Sequence, residues 1–327
     1  MLEPFRGRCP FRQFIKSKPA KYGVKVYSLV DAKTFYCSNM EVYCGTQPEG
    51  PYRISNSAKD VVLRLIQPIS NSGRNVTVDN YFCSLPLLNE LAKDHHLSVV
   101  GTLRKNKRDT AVSPEYTTHK NRQLYRSFFV HKVQVTILSC KSKQNKVVLL
   151  LSSLNRPDEI DTKSGEAMKP QMLTYYNQIK DGVYTLDKLK ATYNVARKTN
   201  RWPLSLFFAL LNIAAVNAYI VYLANTGENI SKKSFLKMLS KELCGDHWRY
   251  RITLENLPRQ LKTNMKKLAG IADDPRPRAV GCVGRCAYCS WRKNRKTKVM
   301  CSACERYICK EHTTSLCNDC ATQNDQE

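Results

Sequence analysis

Acidic residues are scarce in this chain of 327 residues, which has 27 Asp and Glu against 53 Lys and Arg and a net charge of +26. This shortage excludes a surface that would attract basic partners, and it favours phosphate backbones with an affinity that falls as salt rises. Nucleic acid is therefore the leading partner, and an ordinary solvated basic surface is the alternative. No small-molecule substrate is expected.

A secretory signal is also missing from the N-terminal residues, which read as a basic incoming segment. Outside the C-terminal fifty or so residues the cysteines are scattered, as reduced thiols of an intracellular protein are: Cys9, Cys37, Cys44, Cys83, Cys140 and Cys244. We therefore expect an intracellular protein without a disulfide framework.

Long apolar runs are absent apart from residues 204–224. This run is long enough to cross a bilayer, but Asn212 and Asn217 interrupt it. The preferred interpretation is a fully buried core helix that opens at Pro203, and we expect no membrane contact.

Metal-ligand residues are dense at the C-terminus. Four pairs, each with two residues between its members, follow one another: Cys286/Cys289, Cys301/Cys304, Cys309/His312 and Cys317/Cys320. This spacing lets two side chains of one turn reach a single tetrahedral ion, so eight ligands predict two structural zinc ions. The pairs can interleave as a cross-brace, with pairs one and three on one ion, or they can bind sequentially. A disulfide scaffold is disfavoured because His312 has no place in one, and Cys282 is left over.

A basic loop lies between the first two ligand pairs. Its cations suit phosphate groups or a nuclear localisation signal, and the two interpretations are compatible: Arg292, Lys293, Arg295, Lys296 and Lys298. Trp291 in the same loop can pack or stack. A second candidate surface comprises Arg197, Lys198 and Arg201, beside Trp202.

Strands and helices alternate along the first part of the chain, which indicates an α/β sheet. The patterns predict a strand pair at 25–36 and 40–44, a helix at 57–67, a strand at 75–79, a helix at 84–94 and a strand at 98–103. Two more strands are predicted at 129–138 and 146–152, and a helix follows Asp181.

Several short strings occur in an order that resembles the piggyBac family of cut-and-paste transposases: FRGRCPF, KPAKYGVKV, NVTVDNYF, VGTLRKNKR, KPQMLTYYNQIKDGV, ARKTNRWP and the closing Cys/His series. The resemblance runs from Phe5 to Cys320. It implies an RNase H-like catalytic domain with three aspartates, a dimerisation and DNA-binding region, and a zinc module that binds double-stranded transposon ends.

The resemblance also implies a division of the chain. We expect an RNase H-like core at 1–103, an insertion with β-strands at 104–171, a core segment with the acidic-site helix at 172–200, a helical dimerisation and DNA-binding region at 201–270, a linker at 271–281, the zinc module at 282–320 and a tail at 321–327. A homodimer remains open.

The acidic site of the family matches this sequence only in part. Asp79 takes the place of the second aspartate, whereas Tyr184 takes the place of the third, and Asp187 follows one turn later. The first aspartate precedes the FRGRCPF motif, so we expect it and its central strand to be missing, which would leave an incomplete sheet with exposed edges. A phenol is a poor Mg²⁺ ligand, and Mg²⁺ is expected only if catalysis is retained.

The sequence thus predicts a nuclear, transposase-derived and catalytically inactive protein that binds transposon-end-like DNA through its zinc module. One alternative is an active transposase whose start has been placed too far downstream. Another is a cross-brace module for ubiquitin-pathway or histone-tail partners.

Overall fold

The computed structural model describes residues 1–105, 112–132, 134–154, 158–272, 283–301 and 305–313. The chain divides into two compact units, Met1–Ser240 and Lys241–Glu327. The first unit contains two sheets with helices packed against them, so the predicted α/β class is confirmed there. The predicted linker residues 273–281 and Cys282 lie outside the described residues.

The first sheet is organised around one long strand. It comprises β1 (Leu2–Pro4), β2 (Gln13–Phe14), β3 (Tyr22–Val30) and β4 (Cys37–Val42), and β3 pairs antiparallel with the other three. Leu2, Glu3 and Phe5 are buried. The expectation of an incoming segment is therefore wrong, because these N-terminal residues belong to the sheet and its packing.

The helices follow the apolar periodicity closely in the first half of the chain. Ser57 accepts a hydrogen bond from the backbone N–H of Asp60 and thereby caps the first helix. Eight helices lie within the described residues: α1 (Ala58–Leu65), α2 (Leu85–Asp94), α3 (Pro114–Thr117), α4 (Gln171–Ile179), α5 (Gly182–Ala191), α6 (Trp202–Thr226), α7 (Lys232–Thr253) and α8 (Arg259–Ala269).

The second sheet has the order β5-β6-β9-β8-β7, with β5 (Asn75–Val78), β6 (Ser98–Thr102), β7 (Ser127–Lys132), β8 (Val135–Lys143) and β9 (Lys146–Ser152). β5 and β6 run parallel because α2 forms the crossover between them, and Leu87, Leu88 and Leu91 of α2 join their core. Among the described strands β5 pairs only with β6, so its other edge is unpaired there.

The single strand predicted for residues 129–138 is wrong. Phe129 pairs with Leu138 across the antiparallel β7–β8 hairpin, so the two ends of the predicted strand are neighbours. An apolar, β-branched run indicates strand but does not show where a tight turn divides it.

The long apolar helix α6 is not fully buried, which corrects the sequence-based prediction. Its buried residues are Ala209, Asn212, Ile213 and Val216, whereas the Phe207 side chain on the opposite face is 52% exposed. The helix is apolar on all sides, so periodicity could not show which face the rest of the unit covers.

By length and composition α6 could also cross a membrane. Its two polar interruptions instead hold it to the first unit. The Asn217 side chain exchanges two hydrogen bonds with the Cys37 backbone, at 2.9 and 2.8 Å, and Asn212 accepts one from the Val195 N–H at 3.0 Å. The absence of membrane contact stays a prediction.

The second unit contains the C-terminal part of α7, from Lys241 to Thr253, and all of α8. After residue 282, its described regular structure is a short antiparallel hairpin of β10 (Gly284–Arg285) and β11 (Lys296–Thr297). Single 3₁₀ turns cover Trp291–Lys293 and Lys310–His312. The hairpin and the two turns bury little apolar surface, so this part of the chain requires another source of stability.

Candidate metal centre and nucleic-acid interface

Four side chains converge in the second unit. The ligand atoms of Cys286, Cys289, Cys309 and His312 all lie within 4.8 Å of one another, and the three cysteines are buried. These residues are the first and third of the predicted pairs, which is the grouping that an interleaved cross-brace requires for its first ion.

The separations match a tetrahedral ion. Four ligands around one zinc ion, with Zn–S near 2.3 Å and Zn–N near 2.0 Å, lie about 3.5 to 3.8 Å apart. The Sγ atoms of Cys289 and Cys309 are 3.7 Å apart, and His312 Nδ1 lies 3.6 Å from Cys286 Sγ and 3.3 Å from Cys309 Sγ. The donor set of three thiols and one imidazole therefore fits zinc.

Backbone contacts hold the first ligand pair against the basic loop and against the segment that precedes the Cys309/His312 pair. The Cys286 N–H donates to the Arg295 carbonyl at 2.9 Å, and the Ala287 N–H donates to the Tyr307 carbonyl at 2.9 Å. A Cβ on Gly284 would lie 2.0 Å from the Tyr307 ring, so only glycine lets this ring pack on the β10 backbone.

The thiols do not ionise equally. Burial opposes ionisation of Cys286, but backbone N–H donors, first that of Cys309, outweigh it and lower the pKa of this thiol to about 6. Burial and the neighbouring thiols raise the pKa of Cys289 to about 11. Full ionisation of all three thiols would place three negative charges side by side, and a divalent metal would offset them.

The second predicted set is only partly described. Cys301 is buried, and its N–H donates to the Arg306 carbonyl at 2.8 Å. Cys304, Cys317 and Cys320 lie outside the described residues. A second ion stays a prediction.

The basic loop forms the surface of the module. Arg292, Lys293, Arg295, Lys296 and Lys298 are all exposed. Arg295 is ion-paired with Glu311, so part of its charge is neutralised. Within the described parts of the chain no carboxylate pairs with the other four.

The second candidate surface lies in the first unit and is larger than the sequence indicated. Arg197, Lys198 and Arg201 are exposed in the segment before α6. A Cβ on Gly7 would lie 2.7 Å from the Asn200 carbonyl oxygen, so the N-terminal loop packs directly against this segment.

Three arginines of that loop were missed by sequence reasoning. Arg6, Arg8 and Arg12 line a recess of about 680 Å³. Phe11 and Trp202 join the two segments through an edge-to-face ring contact at 5.0 Å, so Trp202 acts as a packing residue. Three arginines within seven residues were the available signal, but their distance from residues 197–201 in sequence concealed the shared surface.

The acidic residues do not assemble in the way a three-carboxylate site would. Asp79 is exposed after β5, and its Oδ1 accepts a hydrogen bond from the Tyr81 N–H at 2.8 Å. Tyr184 is 69% exposed on α5. Among the described residues, the only group of three or more metal-ligating side chains is the Cys/His cluster.

Asp187 is engaged by lysines. Its carboxylate lies 3.1 Å from the Lys190 ammonium and 3.8 Å from that of Lys18. Lys190 also pairs with Glu3 of β1, and both members of this pair are buried. Asp187 thus belongs to a partly buried charge network on α5.

Comparisons with known proteins add the following. The family model described as Transposase IS4 matches residues 1–219. PiggyBac transposable element-derived protein 3 of Homo sapiens is 23% identical over 231 residues, which is 67% of this chain and 38% of that protein. The chimeric ERCC6-PGBD3 protein of Homo sapiens is 23% identical over 231 residues, which is 21% of its length. The chain therefore spans well under half the length of these curated relatives.

A solved structure is more similar. The cryo-EM structure of the piggyBac transposase synaptic complex with hairpin DNA is 34% identical, with a TM-score of 0.79 over 98% of this chain and 68% of that chain.

Proposed function

Because the chain belongs to the piggyBac family of transposases, we propose that it is a transposase-derived DNA-binding protein without transposition activity. Its substrate class is double-stranded DNA resembling transposon ends, and its site of action is the nucleus. The Cys/His cluster beneath a basic loop is the observation that carries this proposal.

Zinc would be held by Cys286, Cys289, Cys309 and His312, whose separations suit a tetrahedral ion. A second ion would be held by Cys301, Cys304, Cys317 and Cys320. The ions would supply folding energy to a module with little apolar core, and they would fix the ends of the basic loop.

DNA would be bound through two surfaces. In the second unit, the loop cations Arg292, Lys293, Lys296 and Lys298 would contact phosphates. In the first unit, the arginines around the recess, Arg6, Arg8 and Arg12, would do so together with Arg197, Lys198 and Arg201. The neighbouring structure supports DNA as the ligand, because it is that of a transposase complex with hairpin DNA.

The loss of catalysis follows from the residues near the acidic site. Phosphoryl transfer on DNA uses divalent ions held by carboxylates, and Tyr184 offers a phenol where the family resemblance implies a carboxylate. Asp187 is held by Lys190 and Lys18. Mg²⁺ would bind only if catalysis were retained.

An active transposase is the second candidate, favoured by the family model over residues 1–219 and by the exposed Asp79 at the end of β5. Strand cleavage of end-sequence duplexes in Mg²⁺ would support it.

A homodimer would fit either function, since α6 exposes apolar side chains such as Phe207, Leu210 and Val221. Light scattering of the full chain would give the oligomeric state.

The test is a fluorescence anisotropy titration of the zinc-loaded full chain. The probes are duplexes from the ends that flank its own gene and scrambled duplexes of the same length, at physiological salt. We expect preference for the end sequence and loss of that preference on adding a zinc chelator. Equal weak binding to both probes, unchanged by the chelator, would contradict the proposal.

A further inference from the structure

One aromatic side chain stands out on the basic face of the second unit. The Trp291 side chain is 82% exposed, although an indole is among the largest apolar surfaces a residue can bury. An exposed indole contributes no stability to a solvated loop, whereas the surfaces that contact binding partners are enriched in tryptophan. This position therefore points to a ligand.

The ring is presented by a fixed turn. Trp291 begins a 3₁₀ turn directly after Ser290, and the Lys293 N–H donates to the Ser290 carbonyl at 3.0 Å. Cys289, two residues before the tryptophan, is one of the clustered ligands. The indole thus projects from the rim of the candidate metal centre, where little conformational freedom would be lost on binding.

A cation lies over one face of the ring. The Arg285 guanidinium is 4.8 Å from the Trp291 ring centroid, and Arg285 is the strand partner of Lys296 in the β10–β11 hairpin. Two further cations, Arg292 and Lys293, occupy the same turn, and no carboxylate of the described residues is ion-paired with them. An open aromatic face bordered by cations suits a flat, electron-rich group that is attached to phosphate.

We infer that Trp291 and Arg285 form a stacking site for an unpaired nucleic-acid base, beside phosphate contacts from the basic loop. This inference rests on the proposed function and specifies its ligand. In an intact duplex both faces of a base are already stacked, so the ring can act only on a base that is unpaired or extruded. A methylammonium or lysine ligand is disfavoured, because Arg285 over one face of the ring and the neighbouring loop cations would repel a further positive charge.

The experiment uses the zinc-loaded full chain and three labelled duplexes of one length. The first is fully paired, the second has a short central bubble of mismatched bases, and the third has abasic sites in place of the bubble bases. Abasic sites keep the phosphates and the backbone flexibility but remove the stacking partner. We expect the bubble to bind about tenfold more tightly than the paired duplex, and the abasic probe to lose that gain.

Variants assign the effect to the ring. Trp291→Ala is expected to abolish the preference for the bubble, while its affinity for the paired duplex stays within about twofold of that of the unmodified chain. Trp291→Phe is expected to keep most of the preference for the bubble. Tyr52→Ala is the matched control, because Tyr52 is 87% exposed in the first unit and should change neither affinity. Zinc content equal to that of the unmodified chain verifies that each variant is folded.

The outcomes separate the two proposals. If no probe is bound in a zinc-dependent manner, the proposed function fails. If the paired and bubble duplexes bind equally, or if Trp291→Ala keeps the preference, the stacking site is refuted while zinc-dependent DNA binding stands. Tight binding of an acidic peptide that competes with all three probes would also overturn the stacking site in favour of a protein partner.

Discussion

The buried pair between Lys190 and Glu3 gives a prediction of measurable size. Both side chains are buried, and Lys190 also lies 3.1 Å from the Asp187 carboxylate. Lys190→Met keeps the length of the aliphatic chain but leaves the Glu3 carboxylate without its ammonium partner. Removing one member of a buried ion pair costs about 3 to 5 kcal/mol, because an uncompensated charge stays in a poorly solvated site.

For a unit of this size, that loss corresponds to a fall of about 6 to 20 °C in the melting temperature. Thermal and urea unfolding of the zinc-loaded full chain would measure it. The unpaired carboxylate can take up a proton in acid, so the loss of stability should be larger at about pH 7 than at about pH 5. A double variant, Glu3→Gln with Lys190→Met, removes both charges and should recover most of the loss.

A surface pair provides the control. Arg53 and Glu49 lie 2.9 Å apart, but their side chains are 50% and 93% exposed. Arg53→Met should therefore change stability by less than about 1 kcal/mol. The assignment of a tightly coupled buried pair would be wrong if Lys190→Met lowered the free energy of unfolding no more than Arg53→Met does. It would also be wrong if the double variant were no more stable than Lys190→Met alone.

Three further predictions concern the metal centre, the acidic site and the first-unit surface. Cys309→Ser should lower the zinc content from two ions per chain to one, since one tetrahedral site loses a ligand; a colorimetric zinc assay would measure this, and unchanged stoichiometry would contradict it. Tyr184→Asp should not produce Mg²⁺-dependent nicking of end duplexes in a gel assay, because the Asp187 carboxylate remains ion-paired with lysine. Any nicking by this variant would show that the lysine contacts do not keep the protein inactive. Replacing Arg8 and Arg12 with Ala should reduce the magnitude of the salt slope of DNA binding by about 2, whereas Lys146→Ala at the start of β9 should leave it unchanged. Equal slopes for the two variants would exclude the recess from the interface.

The α6 helix shows how far periodicity reaches. Its length and apolar character were evident from the sequence, and so was its start near Pro203. The sequence did not show which face is exposed, because a helix that is apolar on all sides has no polar face to distinguish its exposed side from its packed side. The tertiary contacts identify the covered face, because Cys37 and Val195 bond to the two asparagines on it.

The sequence by itself determined the family, the α/β class and the spacing of the metal ligands, because ordered motifs, alternating patterns and short intervals are local properties of the chain. Tertiary structure decided which pairs meet. It brought Cys286 and Cys289 to Cys309 and His312, although sequential pairing satisfied the same spacing. It also placed the N-terminal arginines beside residues 197–201 and Glu3 beside Lys190. Contacts between residues nearly two hundred positions apart depend on how sheets and helices pack, and no local pattern specifies that.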